Sequence, residues 1–151
     1  NMAIAPWSPL AGGLLTGKFN RDVPGADQRG ARLTESPRRA QALHGRNLDG
    51  AGQLTAMAAE QGCTPAQLAL AWMMRRSTAC VVPIIGARTP AQLADNLGAV
   101  GVRPSGEQIA GLDALTAADP AYPQSLFDSE FFRTLMYGEA WQQLDIDRPW
   151  R

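Results

Sequence analysis

Apolar positions along the chain fall into two short continuous runs and several stretches spaced as helix faces. The first run, residues 3–7, is closed by turn chemistry at Ser8-Pro9 and predicts a short buried strand. The second, Cys80 to Ile85, is a Val/Ile/Pro run of the kind found in strands buried on both faces of a parallel sheet. Between them Leu48, Leu54, Met57 and Ala58 recur at helical spacing, and Gly62 supplies a stop. Thr64-Pro65-Ala66-Gln67 then restarts a helix. Thr caps, Pro takes the first helical position, Gln reaches back to the cap, and Leu68, Trp72 and Met73 form an apolar face. Thr89-Pro90-Ala91-Gln92 repeats that start, so that TPAQLA occurs twice, 25 residues apart. Shared capping needs explain the recurrence more simply than a repeat architecture does. A further helix opens at Ser105-Gly106-Glu107-Gln108, with Ile109, Leu112 and Leu115 at helical spacing.

Strand, long loop, helices, strand, loop, helix is the order of βα units with a parallel sheet. Two parallel strands leave both sheet edges open, which points to missing upstream structure. The first residue, Asn1, runs at once into strand-like sequence, and this supports the same expectation. From Phe19 to about Arg46 the chain is rich in Gly, Pro, Arg and Asp without sustained periodicity, as in a functional flap. The organisation expected is therefore residues 1–119 as one part, with the flap at 19–46, and an aromatic-rich tail at 120–151. The tail holds Phe127, Phe131, Phe132, Leu135, Met136, Tyr137 and Trp141, which predicts packing on the domain or on a partner.

Composition narrows the class without naming it. Apolar residues make up 45% and charged residues 19%, a globular balance. Fourteen Lys and Arg offset fourteen Asp and Glu, so no net field draws the chain to nucleic acid or to an anionic membrane. No apolar run approaches the roughly 18 residues of a membrane helix. Cys63 and Cys80 match no zinc or disulfide pattern and read as reduced, mostly buried thiols of a cytoplasmic protein. His44, the only histidine, lies among arginines and reads as a surface residue.

Both strands lead into loops suited to a phosphate-bearing ligand. After the first, Ser8 offers a hydroxyl, the glycine-rich stretch Ala11–Lys18 offers backbone N–H groups, and Lys18 offers a point charge. After the second, Gly86 permits close backbone approach, and Arg88 precedes a helix whose positive N-terminus begins at Thr89. Gln92, Asp95 and Asn96 share one face of that helix and could read an adenosine. Ordinary capping and a solvated polar face remain the alternative on these grounds alone.

Three motifs carry a resemblance to the aldo-keto reductase family. Trp7 through Lys18 (WSPLAGGLLTGK) resembles the family's segment after the seventh barrel strand. Thr64 through Trp72 (TPAQLALAW) resembles its seventh-helix motif. Pro83 through Pro90, continuing to Gly98, is similar to the eighth strand and helix. The resemblance implies an α/β fold, the C-terminal part of a TIM (β/α)8 barrel, incomplete as given. It implies NADP(H) as cofactor. Trp7, Ser8, Pro9, Leu10, Ala11 and Gly12 would line the nicotinamide-to-pyrophosphate stretch, and Lys18 would meet phosphate. Arg29 would clasp the pyrophosphate, Gly86 and Arg88 would hold the 2′-phosphate, and Gln92, Asp95 and Asn96 would lie at the adenosine end. The family's tyrosine acid, with its lysine, aspartate and histidine, belongs to early strands that have no counterpart here. No catalytic role falls on Tyr122, Tyr137 or His44, and the chain alone is expected to reduce no carbonyl. The partners expected are a small carbonyl substrate and the absent N-terminal half. The rival reading is a non-enzymatic half-barrel that binds nucleotide or assembles with itself.

Overall fold

The computed structural model describes residues 2–19, 33, 40, 43, 45–75, 79–117, 121, 123–127, 129–138 and 140. Strands β1 (Ala3–Ile4) and β2 (Cys80–Val81) pair in parallel, Ala3 beside Cys80 and Ile4 beside Val81. The register continues beyond them. The Val82 N–H donates to the Ile4 carbonyl at 2.9 Å, the Ile84 N–H donates to the Pro6 carbonyl at 3.0 Å, and Trp7 bridges Ile84. The regular strands are shorter than the apolar runs because Pro6 brings no N–H to the ladder.

The expected burial of these strands does not hold. Ile4 is 53% exposed, Trp7 79%, Val82 56% and Ile84 52%. An apolar run records fitness for burial, but burial itself requires a covering layer, and the helices described here do not cover both faces and edges of two strands. Cys80 lies exposed on β2 and Cys63 is half-buried, so the expectation of mostly buried thiols is corrected for the same reason.

Among the described residues of the larger unit lie the helices α1 (Arg46–Glu60), α2 (Pro65–Met74), α3 (Pro90–Gly98) and α4 (Gly106–Thr116). The starts of α2, α3 and α4 lie at the positions the capping residues predict, whereas α1 begins after Gly45 without a side-chain cap. Thr64 accepts the Gln67 N–H while Gln67 Oε1 accepts the Thr64 N–H, which makes a complete capping box. Ser105 and Gln108 form the same reciprocal pair ahead of α4. Helix α2 departs from the one-sided apolar face expected of it, because Ala66, Leu68, Ala69, Leu70 and Ala71 are all buried. A helix apolar nearly all round belongs inside a core, and its alanines let neighbouring backbones approach. Leu54 and Ala58 of α1, Leu68 and Ala69 of α2, and Leu112 of α4 form that core. A hydrogen bond of 2.8 Å from Trp72 Nε1 to Asp113 ties α2 to α4. A second cluster joins Leu14, Phe19, Leu33 and Ala51.

The chain divides into two compact units, Asn1–Thr116 and Ala117–Arg151. The second contains α5 (Gln124–Phe127) and α6 (Glu130–Tyr137). Ser129 caps α6 by accepting the Phe132 N–H at 3.2 Å. No residue of α6 is buried, and Phe131 is 71% exposed. Phe127 and Trp141 as side chains, Tyr122, His44 and most of the 19–46 flap lie outside the described residues.

Candidate nucleotide site

The loop after β1 is wound through left-handed backbone. Ser8 (φ 57°) and Ala11 (φ 48°) adopt it without being glycine, and Gly12 (φ 66°) and Gly13 (φ 99°) continue it. Left-handed conformations cost a residue with a Cβ free energy on the order of 1 kcal/mol or more, and they concentrate where a site requires them. Hydrogen bonds from Ala11 N–H to the Ser8 carbonyl (2.9 Å) and from Gly13 N–H to the Leu10 carbonyl (2.8 Å) hold the turn. At Gly13 an added Cβ would meet the flexible end of the Lys18 side chain, which lies against the turn. The coil thus returns Lys18 over its own start, with Nζ 5.3 Å from the Phe19 ring centroid.

This loop and the one after β2 face each other across a cavity of about 650 Å³. Trp7, Ser8, Pro9, Leu10, Gly12 and Lys18 line it from the first side, and Gly86, Arg88, Gln92, Asp95 and Asn96 from the second. Ala11 points away and is exposed, so it is absent from the lining. Its left-handed backbone serves the turn. Arg29 lies outside the described residues. The N-terminal turn of α2 also contributes, through Thr64, Pro65 and Ala66, which the loop-centred reading of the sequence did not single out. Their signal was the capping motif itself, because a helix start beside a parallel strand's C-terminal end faces the same side as the ligand loops.

The electrostatics suit an anion. Burial holds Lys18 below the usual lysine range, and the positive charge of Arg88 lowers it further. A lowered lysine pKa means that the ammonium is destabilised here. Without an anion, the fold gains stability from this residue as pH rises through the lowered pKa and the charge is lost. Anion binding has the opposite sign, since it needs the ammonium. Affinity for a phosphate ligand should therefore fall as pH rises, beginning below the ordinary lysine pKa, and Lys18→Met should flatten that slope. Fluorescence titration of NADPH across alkaline pH checks this, and an equal slope in both proteins would remove Lys18 from the site.

The helical face of α3 is more differentiated than its spacing suggests. Thr89 accepts the Gln92 N–H at 3.2 Å, and Gln92 Oε1 accepts the Arg88 N–H at 2.8 Å, so Gln92 fixes the backbone that carries Arg88. Asp95 turns toward α2. Its carboxylate accepts from the Thr64 hydroxyl at 3.1 and 3.2 Å and from Gln67 Nε2 at 3.0 Å. Asn96 is 7% exposed, the one polar residue among the buried ones described, and its amide makes no hydrogen bond among the described residues. Its amide is still reached by solvent, because Gln61 Oε1 is the one sealed side-chain polar atom without a partner among the described residues. Asn96 borders the cavity. Burial pushes the Cys63 thiol up, and the Asp95 charge adds to the effect, so a reactive thiolate is not part of this site. Among the described residues no group of His, Cys, Asp and Glu could hold a metal ion.

Two loops that line one cavity at the ends of two parallel strands, with capped helix N-termini beside them, define a pair of βα units. Residues 1–117 match the Aldo/keto reductase family, and the chain belongs to that family. Over 95 residues it is 37% identical to a Schizosaccharomyces pombe protein provisionally named a voltage-gated potassium channel subunit beta. That match takes in 62% of this chain and 27% of the relative, so the chain spans well under half the length of this curated relative. Among the described residues no helix is long and apolar enough to cross a membrane.

Proposed function

We propose that this chain is the cofactor-holding part of an NADP(H)-dependent aldo-keto reductase, acting on an aldehyde or ketone within a complete (β/α)8 barrel. The observation that carries the reading is the cavity wall, which Lys18, Arg88 and the largely buried Asn96 line together. Two cations suit the phosphates of a dinucleotide, and a side-chain amide, both donor and acceptor, suits the edge of its base. Around Gly86, no atom lies within 4 Å of where a Cβ would be, which leaves room for a ligand against the backbone.

In this reading Trp7, Ser8, Pro9, Leu10 and Gly12 line the stretch from nicotinamide to pyrophosphate. Lys18 and the start of α3 neutralise phosphate, Arg88 takes the 2′-phosphate, and Asn96 binds the adenosine. Bound NADPH supplies the hydride. The chain's own residues bind, orient and shield it, while proton delivery to the carbonyl falls to residues outside this sequence. The test uses the full-length protein, titrated with NADPH and then offered a panel of aldehydes and ketones. NADPH binding followed by oxidation that depends on the carbonyl is the expected result. Failure to bind NADPH would remove the reading.

Exposure of Ile4, Trp7, Val82 and Ile84 favours a second reading, a half-barrel that binds nucleotide and pairs with itself without catalysing anything. The intact mass of the native material separates the two. A mass near 16.2 kDa supports the second, and about twice that supports the first.

A further inference from the structure

We infer that Gln67 and Asp95 form a clamp that positions the nucleotide-facing side of α3, with Asp95 anchoring that helix to the cap of α2. This rests on the nucleotide reading given above and goes beyond it by assigning a role to a helix outside the two ligand loops. Gln67 has two tasks. Its Oε1 accepts the Thr64 N–H at 3.2 Å and completes the α2 cap, while its Nε2 donates to both the carbonyl and the carboxylate of Asp95, each at 3.0 Å. Thr64 closes the ring. Its hydroxyl accepts the Gln67 N–H and donates to the Asp95 carboxylate.

The contact is built sterically as well. At Gly98 of α3 a Cβ would lie 2.5 Å from Gln67 Nε2 and 3.2 Å from its Cδ. The Gly98 backbone is ordinary helix and does not need glycine for its dihedrals. Its missing side chain gives the Gln67 amide the space it occupies. With both ends of that amide engaged, the α2 cap determines where Asp95 sits. Asn96, the next residue along, then has its position against the cavity determined too.

The two copies of TPAQLA make the assignment specific. In the second copy Gln92 reaches the Arg88 N–H, four residues back, and bonds to no other helix. The first Gln joins two helices. One motif therefore has two structural uses, and only the use at Gln67 couples α2 to α3.

The test measures dissociation constants in the full-length protein for NADPH, for adenosine 2′,5′-bisphosphate and for nicotinamide mononucleotide. Gln67→Glu keeps an acceptor for the Thr64 N–H, as a capping box allows, but replaces the donor to Asp95 with a like charge. Gly98→Ala displaces the same amide without changing charge. Both variants should bind NADPH and adenosine 2′,5′-bisphosphate about tenfold more weakly, the loss for one charge-assisted hydrogen bond. Nicotinamide mononucleotide should bind as to wild type. Adding Asp95→Asn to Gln67→Glu returns a donor and acceptor with their places exchanged, and should recover affinity to within about threefold of wild type.

Equal losses for all three ligands, or no loss in either variant, would overturn the clamp and leave the nucleotide reading intact. If wild type binds neither NADPH nor the bisphosphate, the nucleotide reading fails and the clamp's role fails with it.

Discussion

Arg88→Ala in the full-length protein should weaken NADPH binding by roughly 1.5–3 kcal/mol, the range for hydrogen bonds to charged groups, and leave NADH binding nearly unchanged. Arg88 immediately precedes the N-terminal residues of α3, and its backbone is held by Gln92. A 2′-phosphate there would meet both the guanidinium and the positive end of the helix. NADH lacks that phosphate and gains little from the arginine. Because Arg88 is exposed, salt screens the interaction, and the difference between variant and wild type should shrink as ionic strength rises. Titration of both cofactors by nicotinamide fluorescence measures the selectivity. An equal loss for NADH and NADPH would show that Arg88 supports the loop and does not read the phosphate.

Leu68→Ala should lower unfolding stability by about 2–5 kcal/mol, the largest single effect expected. Leu68 is fully buried, at 0% exposure, where α1, α2 and α4 meet through Leu54, Ala58 and Leu112. Truncation removes apolar contact and leaves a cavity between helices whose backbones cannot easily close on it. Leu68→Met nearly conserves volume and should cost less than about 1.5 kcal/mol. Urea unfolding of the full-length protein provides the comparison. Similar losses for the two variants would mean that the site is loosely packed and that α2 is not the centre of this core.

Much of the local structure was legible from residues alone. Thr64, Thr89 and Ser105 each announced a helix start, because a side-chain oxygen followed three residues later by Gln satisfies orphan N–H groups in any context. The parallel pairing of the two apolar runs also followed, since the helices between them leave room for a crossover and not for a hairpin. The two loops that line the cavity also stood out by residue type, with glycines at Gly12, Gly13 and Gly86 and cations at Lys18 and Arg88.

Tertiary structure decided the rest, and the reason is physical in each case. Whether Ile4, Val82 and Ile84 are buried depends on neighbours, and no local pattern encodes whether a neighbour is present. Gln92, Asp95 and Asn96 are equivalent by helical spacing, yet one holds the Arg88 backbone, one is tied to α2 and one is largely buried at the cavity wall. The difference arises because the cap of α2 lies against α3 at Asp95. Likewise TPAQLA fixes a helix start in both of its copies. Only packing across Gly98 turns the first glutamine toward a second helix, because that requires an inter-helix distance that no sequence spacing contains.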